Sequence, residues 1–188
     1  QGKGRKYGQM KKNLIQMVKE VDAIPLDLSH KKPRVGIVGE IYIKYASLGN
    51  NHLEDFLVSQ GAEVNVPGLY GFLLYTVYNT IYDYEIYGKN RKSAFVAKLI
   101  LWFIRRREKI MINAMKGSKF TPMNYFSHTK DLSEGVLHHG TKMGEGWLLT
   151  AEMMELTEEG YENIICAQPF GCLPNHICGK GVMKKITT

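Results

Sequence analysis

The chain has 188 residues, is 44% hydrophobic, and carries 25 Lys and Arg against 18 Asp and Glu, for a formal net charge of +7. That length suffices for one full domain core, and the apolar share is that of an ordinary globular protein rather than a disordered or multiply membrane-spanning one. The cations are spread over the N-terminus, residues 105–109 and the C-terminus, with no nucleic-acid-binding motif among them. A solvated basic surface is therefore expected, and nucleic acid is not an expected partner.

Residues 1–12 are basic, glycine-rich and without apolar periodicity, so they are expected to fray and do not make a secretory signal. Leu14, Ile15, Met17, Val18 and Val21 then recur at helical spacing and predict a short helix over 13–21. Residues 1–32 thus read as a basic N-terminal segment with one short helix, and residues 33–188 as a single α/β domain. Within the latter, RVGIV at 34–38 reads as a buried strand, 39–49 as a loop, and 51–60 as a helix capped by Asn50 or Asn51 and ended by Gly61. A second strand over 63–66 is closed by Pro67 and Gly68. Strand, helix and strand with short connections are the signature of a right-handed βαβ crossover, which predicts a parallel, doubly wound sheet flanked by helices.

The alternation breaks in the middle third. Residues 69–87 are crowded with aromatics, 92–116 carry a long helical pattern, and 88–90 make the turn between them, giving a helical excursion over about 69–117. An aromatic row at helical spacing is expected to be core or a subunit interface. The apolar run 99–104 is too short to span a bilayer and is followed at once by Arg105, Arg106 and Arg107, so no membrane partner is expected and the protein reads as cytoplasmic. A short helix over 131–139, a glycine-rich turn over 140–146, a helix over 147–157 ended by Gly160 and a third strand over 163–167 complete the pattern. The chain stops a few residues into its next helix, which predicts a fragment of a larger protein.

The candidate chemistry lies where the third strand runs into the turn from Cys166 to His176, because Pro169, Gly171 and Pro174 forbid regular structure until a helix begins near His176. That places Cys172 at the carboxyl end of a strand, where open α/β sheets bind their ligands. Three cysteines at one end of the chain argue against a disulfide framework and for reduced thiols or metal ligation. Thiolates are soft donors suited to iron-sulfur clusters, but the five-residue gaps between Cys166, Cys172 and Cys178 match no CxxC zinc pair or ferredoxin run. Cys166 also reads as a buried small hydrophobe. Cys178 reads equally as ligand or packing residue, and on a helix it would lie about 240° around the axis from Cys172.

Asn175 is a candidate helix cap, and His176 a candidate ligand, acid-base group or hydrogen-bonding side chain. His138 and His139 precede Gly140, and Gly144, Glu145 and Gly146 precede a helix whose first amides face either an anion or a simple interhelical turn. No P-loop, dinucleotide fingerprint or GxSxG elbow is present, so no ATP site, NAD site or serine hydrolase chemistry is expected.

Three segments together carry a resemblance: VGIVGEIYIKYASLGNNHLEDFLVSQGAEVNVP, GEGWLLTAEMMEL and CAQPFGCLPNHICGKG are similar to the 2-hydroxyacyl-CoA dehydratase superfamily, most closely to its activase-related branch. The likeness runs over about 33–185. It implies Rossmann-like subdomains holding a [4Fe-4S] cluster through cysteines at strand ends, fed with low-potential electrons by an ATP-hydrolysing activase for reduction of an acyl-CoA or a small molecule. Carried onto this chain, it implies Cys172 as the best cluster ligand, Cys166 and Cys178 as weaker ones, and Gly39, Glu40, Gly144, Glu145, Gly146, Asn175 and His176 as lining a cluster or substrate cleft.

The loops after the first two strands hold no cysteine, so the missing ligands are expected from the remaining domains of a parent protein or from a second subunit, with the isolated chain inactive. The alternative from a different class is a non-catalytic module that docks another domain through 69–87 and whose cysteines are structural.

Overall fold

In a computed structural model of the chain, which describes residues 7–187, β1 (Arg34–Gly39), β2 (Glu63–Asn65) and β3 (Asn163–Ala167) form one parallel sheet in the order β2, β1, β3. Arg34 pairs with Glu63, and the longer β1–β3 ladder runs from Val35 opposite Asn163 to Gly39 opposite Ala167. β1 is central and buried beyond its first residue, as an apolar strand of a covered parallel sheet should be. The protein is thus mixed α/β, with a small parallel sheet flanked by helices.

The helix that fixes the core is α7 (Gly146–Glu158). Its sequence, GWLLTAEMMELTE, has no continuous polar face, and nine of its residues are buried, which is how an all-round apolar helix must sit. A Cβ added at Gly36 of β1 would lie 2.6 Å from Leu156 Cδ1, so this glycine lets α7 lie directly on the central strand. Val38, Leu149, Met153, Leu156, Tyr161 and Cys178 close one core cluster, with Cys166 packed against it.

The excursion is a hairpin of α4 (Leu69–Tyr87) and α5 (Arg91–Met115), joined through Gly88 and Asn90 at positive φ. The middle of its aromatic row packs inward, with the rings of Tyr75 and Tyr78 lying 5.0 and 5.7 Å from that of Trp147, which is completely buried, while Tyr70 and Tyr87 are exposed. Tyr75 and Tyr78 therefore join the hairpin to α7. α1 (Met10–Asp22) packs on α5.

Several boundaries differ from the sequence-based expectation. The expected fraying of 1–12 lies outside the described residues for 1–6, whereas 7–9 form a 3-10 turn and 10–12 the first turn of α1, because Met10 extends the row of Leu14, Met17 and Val21. The loop 39–49 contains α2 (Ile41–Tyr45). α3 (Leu53–Ser59) starts after Asn51 and His52, whose left-handed backbone cannot continue a helix, and Asn50 Oδ1 accepts a hydrogen bond from Leu53 N–H at 3.1 Å. The helix expected over 131–139 instead is α6 (Phe126–Leu132), stopped by turns ahead of Gly135 at φ 83°.

α8 (Leu173–Cys178) begins earlier than expected because Pro174 sits in its first turn, where proline costs no hydrogen bond. Asn175 is consequently inside the helix rather than its cap, and Cys178 is its last residue rather than near its start. A 3-10 turn over Lys180–Val182 leads into α9 (Met183–Thr187). Among the described residues no helix is long and apolar enough to cross a membrane.

Candidate functional site at the carboxyl edge of the sheet

β1 and β3 end side by side, and the segments that leave them lock together. Gly39 has φ 141°, and a Cβ there would lie 1.9 Å from the Ala167 carbonyl oxygen, so only a hydrogen fits. Glu40 N–H donates to that same carbonyl at 3.0 Å. The Glu40 carboxylate then turns forward to accept from Ile43 N–H at 2.9 Å, while Glu145, from the second glycine loop, accepts from Ile41 N–H at 2.9 Å. Two N–H groups of the first turn of α2, which a helix cannot satisfy internally, are thus held by glutamates from two separate motifs.

The third motif closes against the second. A Cβ at Gly144 would lie 3.2 Å from Pro174 Cγ, and Gly146, at φ 47°, has the Thr141 carbonyl and the Tyr75 hydroxyl where its Cβ would be. The structure therefore brings Gly39, Glu40, Gly144, Glu145 and Gly146 to one edge together with the Cys172–Pro174 turn.

At the centre of that turn is Asn175, which is completely buried. Its Nδ2 donates to Cys172 Sγ at 3.1 Å, and its Oδ1 lies 3.6 Å from Cys166 Sγ, which donates to it. One amide thus addresses two thiols. Cys178 faces the core cluster instead, at the far end of α8, and its carbonyl accepts from Thr150 Oγ1 at 2.8 Å. Burial first, then the neighbouring Cys172 and Glu145, push the Cys166 thiol up to about 11; burial and Glu145 do the same for Cys178.

Two units above the ordinary thiol value lower the thiolate fraction about a hundredfold. Iodoacetamide at mildly alkaline pH is accordingly expected to alkylate Cys166 and Cys178 of the metal-free chain far more slowly than a free cysteine, read by mass spectrometry of the digested protein. Labelling of either at the free rate would contradict this geometry.

A [4Fe-4S] cluster takes four thiolates. Among the described residues no group of three or more His, Cys, Asp and Glu side chains is gathered as metal ligands. The edge presents Cys172 and Cys166 around one amide with Cys178 turned to the core, so two thiols share this edge. No family model, curated protein or solved structure matches the chain.

The possible anion site at the start of α7 is replaced by backbone bonding. Gly146 N–H donates to Met143 O, Trp147 N–H to Thr141 O and Leu148 N–H to Glu145 O, all within 3.1 Å, so these amides are engaged. His139 is a core residue: it is buried, its Nε2 lies 3.0 Å from Ser133 Oγ, and its ring lies 4.5 Å from that of Trp147. Burial and the nearby Lys130 charge lower its pKa. His138 is exposed against the Tyr82 hydroxyl, and His176 is exposed on α8.

Two features were not singled out from the sequence. Lys44 of α2 and Glu152 of α7 form a buried ion pair at 3.0 Å. Beyond it, a groove of about 1350 Å³ opens between α5, α7 and residues 25–32, bordered by Tyr70, Glu108, Met111, Phe126, Leu148 and Glu152 and by no cysteine. A lysine four residues after Glu40 looks like surface charge until the fold places it over α7.

Proposed function

We propose that this chain is a Rossmann-like domain of a 2-hydroxyacyl-CoA dehydratase-like or activase-related protein, acting in the cytoplasm. It offers Cys172 to an iron-sulfur cluster whose remaining ligands come from other domains or a second subunit. The observation that carries this reading is the convergence of the Gly39–Glu40, Gly144–Gly146 and Cys172–Asn175 segments at the carboxyl ends of parallel strands, the side on which open α/β sheets bind ligands. A cluster there would supply low-potential electrons, delivered by an ATP-hydrolysing activase, for reduction of an acyl-CoA or a small molecule.

This chain's own residues do the positioning. Asn175 Nδ2, already directed at Cys172 Sγ, fixes the direction of that sulfur. Glu40 and Glu145 hold α2 against the edge, and Gly39 and Gly144 keep the three loops in contact. Gly171, at φ 73° with open space around it, lets the chain reverse ahead of Cys172.

The test is iron analysis and visible absorbance of the complete encoded polypeptide after anaerobic treatment with iron and sulfide. Brown protein whose colour is lost in Cys172→Ala, but kept in Cys178→Ala, is the expected result. A polypeptide that takes up no iron, or a Cys172→Ala variant with undiminished iron, sinks the reading.

A further inference from the structure

We infer that the outward face of α5 docks an acidic amphipathic helix of a partner polypeptide. The inference stands apart from the iron-sulfur reading. Phe95, Val96, Leu99, Ile100, Trp102 and Phe103 are all exposed, Phe95 to 63% and Trp102 to 56%. At about 100° per residue they occupy a continuous arc of about 160°, opposite the face that buries Ala94, Ala97 and Glu108. A monomer rarely leaves such a contiguous apolar stripe in water without a use for it.

The charges around the stripe select the occupant. α5 carries seven cations, Arg91, Lys92, Lys98, Arg105, Arg106, Arg107 and Lys109, and one acid, Glu108, which is buried and accepts from Phe126 N–H at 3.1 Å. Arg91, Lys98 and Arg105 are spaced by seven, so they form one basic edge along the stripe. Lys98 Nζ lies 3.5 Å from Glu85 on α4, an exposed pair of little energetic weight. Arg106 lies over the Trp102 ring at 4.1 Å and extends the positive charge across the stripe's C-terminal end. The other long edge, through Val96 and Ile100, carries Arg107 alone, whose guanidinium lies 4.7 Å over the Phe103 ring.

A second copy meeting this face antiparallel across a twofold axis would bring basic edges together, and a parallel one would leave both basic edges without acids. A bilayer surface is met by interfacial helices with cations along both flanks, whereas here one edge carries Arg91, Lys98, Arg105 and Lys109 and the other Arg107 alone. A helix with an apolar stripe and glutamates along one side satisfies both features, because apolar residues at three- and four-residue spacing accept its side chains while the acids face Arg91, Lys98 and Arg105.

Trp102 reports directly on occupancy, since the other tryptophan, Trp147, is completely buried. The probes are two Trp-free three-heptad helical peptides with the same leucine stripe, one flanked by glutamates and one by lysines. The expected result is a blue shift of Trp102 emission with the Glu peptide, at least about tenfold tighter binding than for the Lys peptide, and weakening by salt. Phe95→Glu with Leu99→Glu should abolish the shift, and Arg91→Glu, Lys98→Glu and Arg105→Glu together should reverse the preference, with an unchanged near-ultraviolet signal from Trp147 confirming the fold. Equal affinity for the two peptides, or no shift with either, overturns the inference. So does preferential sedimentation with phosphatidylserine vesicles, or self-association of the chain that Trp102→Glu removes.

Discussion

Replacing Gly39 by alanine is expected to destabilise the chain by at least about 4 kcal/mol, a large part of the stability of an ordinary domain. The added methyl would meet the Ala167 carbonyl oxygen at 1.9 Å, and that atom is backbone in the neighbouring strand rather than the end of a mobile side chain. The positive φ of 141° adds strain for any residue with a Cβ. Relief requires β3 to move away from β1, which breaks the Glu40 N–H bond to the Ala167 carbonyl and the ladder behind it. Gly61→Ala is the control: its φ is 84° but nothing lies within 4 Å of the new methyl, so its cost should stay near the 1–2 kcal/mol of a left-handed residue, or about 1.5 kcal/mol. Urea unfolding followed by circular dichroism measures both variants. A loss at Gly39 no larger than that at Gly61 would show that the strand ends are not locked as described.

How much of this was legible in the sequence follows from which residues speak locally. The three strands were readable because RVGIV and NIICA are short apolar runs bounded by glycine and proline, and α4, α5 and α7 because their patterns are long. The start of α8 was not, because Pro174 reads as a breaker until its place in a first turn is known. The two short motifs GE at 39–40 and GE at 144–145 could be marked as edge residues from the resemblance. That both glutamates cap the same five-residue helix depends on a contact across more than a hundred positions, which no local pattern carries. Asn175 was misplaced as a helix cap for a similar reason: its burial depends on two thiols, one of them in β3. The aromatics of 69–87 are expected from the sequence as core or interface, and Tyr75 and Tyr78 take the core role by packing on Trp147.

Lys44→Met is expected to cost more at pH 8 than at pH 5. Burial pushes the Glu152 carboxyl up to about 7, with the Lys44 ammonium pulling it only part of the way back. The folded value lies above the ordinary 4.5, so between those two pH values the folded state holds more protons than the unfolded one, and stability falls as pH rises, by about 3 kcal/mol in all. Below pH 4.5 the favourable contribution is fully present, and above pH 7 it is gone.

Removing Lys44 takes away the opposing charge in contact with Glu152, so the carboxyl is pushed further up and the fall extends to higher pH. At pH 8 the variant should lose about 1 kcal/mol more than at pH 5, because its carboxyl must keep a proton that the paired carboxylate gives up above pH 7, whereas at pH 5 the acid is neutral with or without Lys44 and mainly a lost hydrogen bond of about 1 kcal/mol remains. The double variant Lys44→Met with Glu152→Leu should regain most of the loss and flatten the profile between pH 4.5 and 7, because apolar groups of similar volume replace a desolvated pair at little cost. Urea midpoints for the three proteins across this range decide the matter. Equal losses at pH 5 and pH 8 for Lys44→Met would mean that Glu152 does not titrate in the core, and that α2 is held to α7 by packing alone.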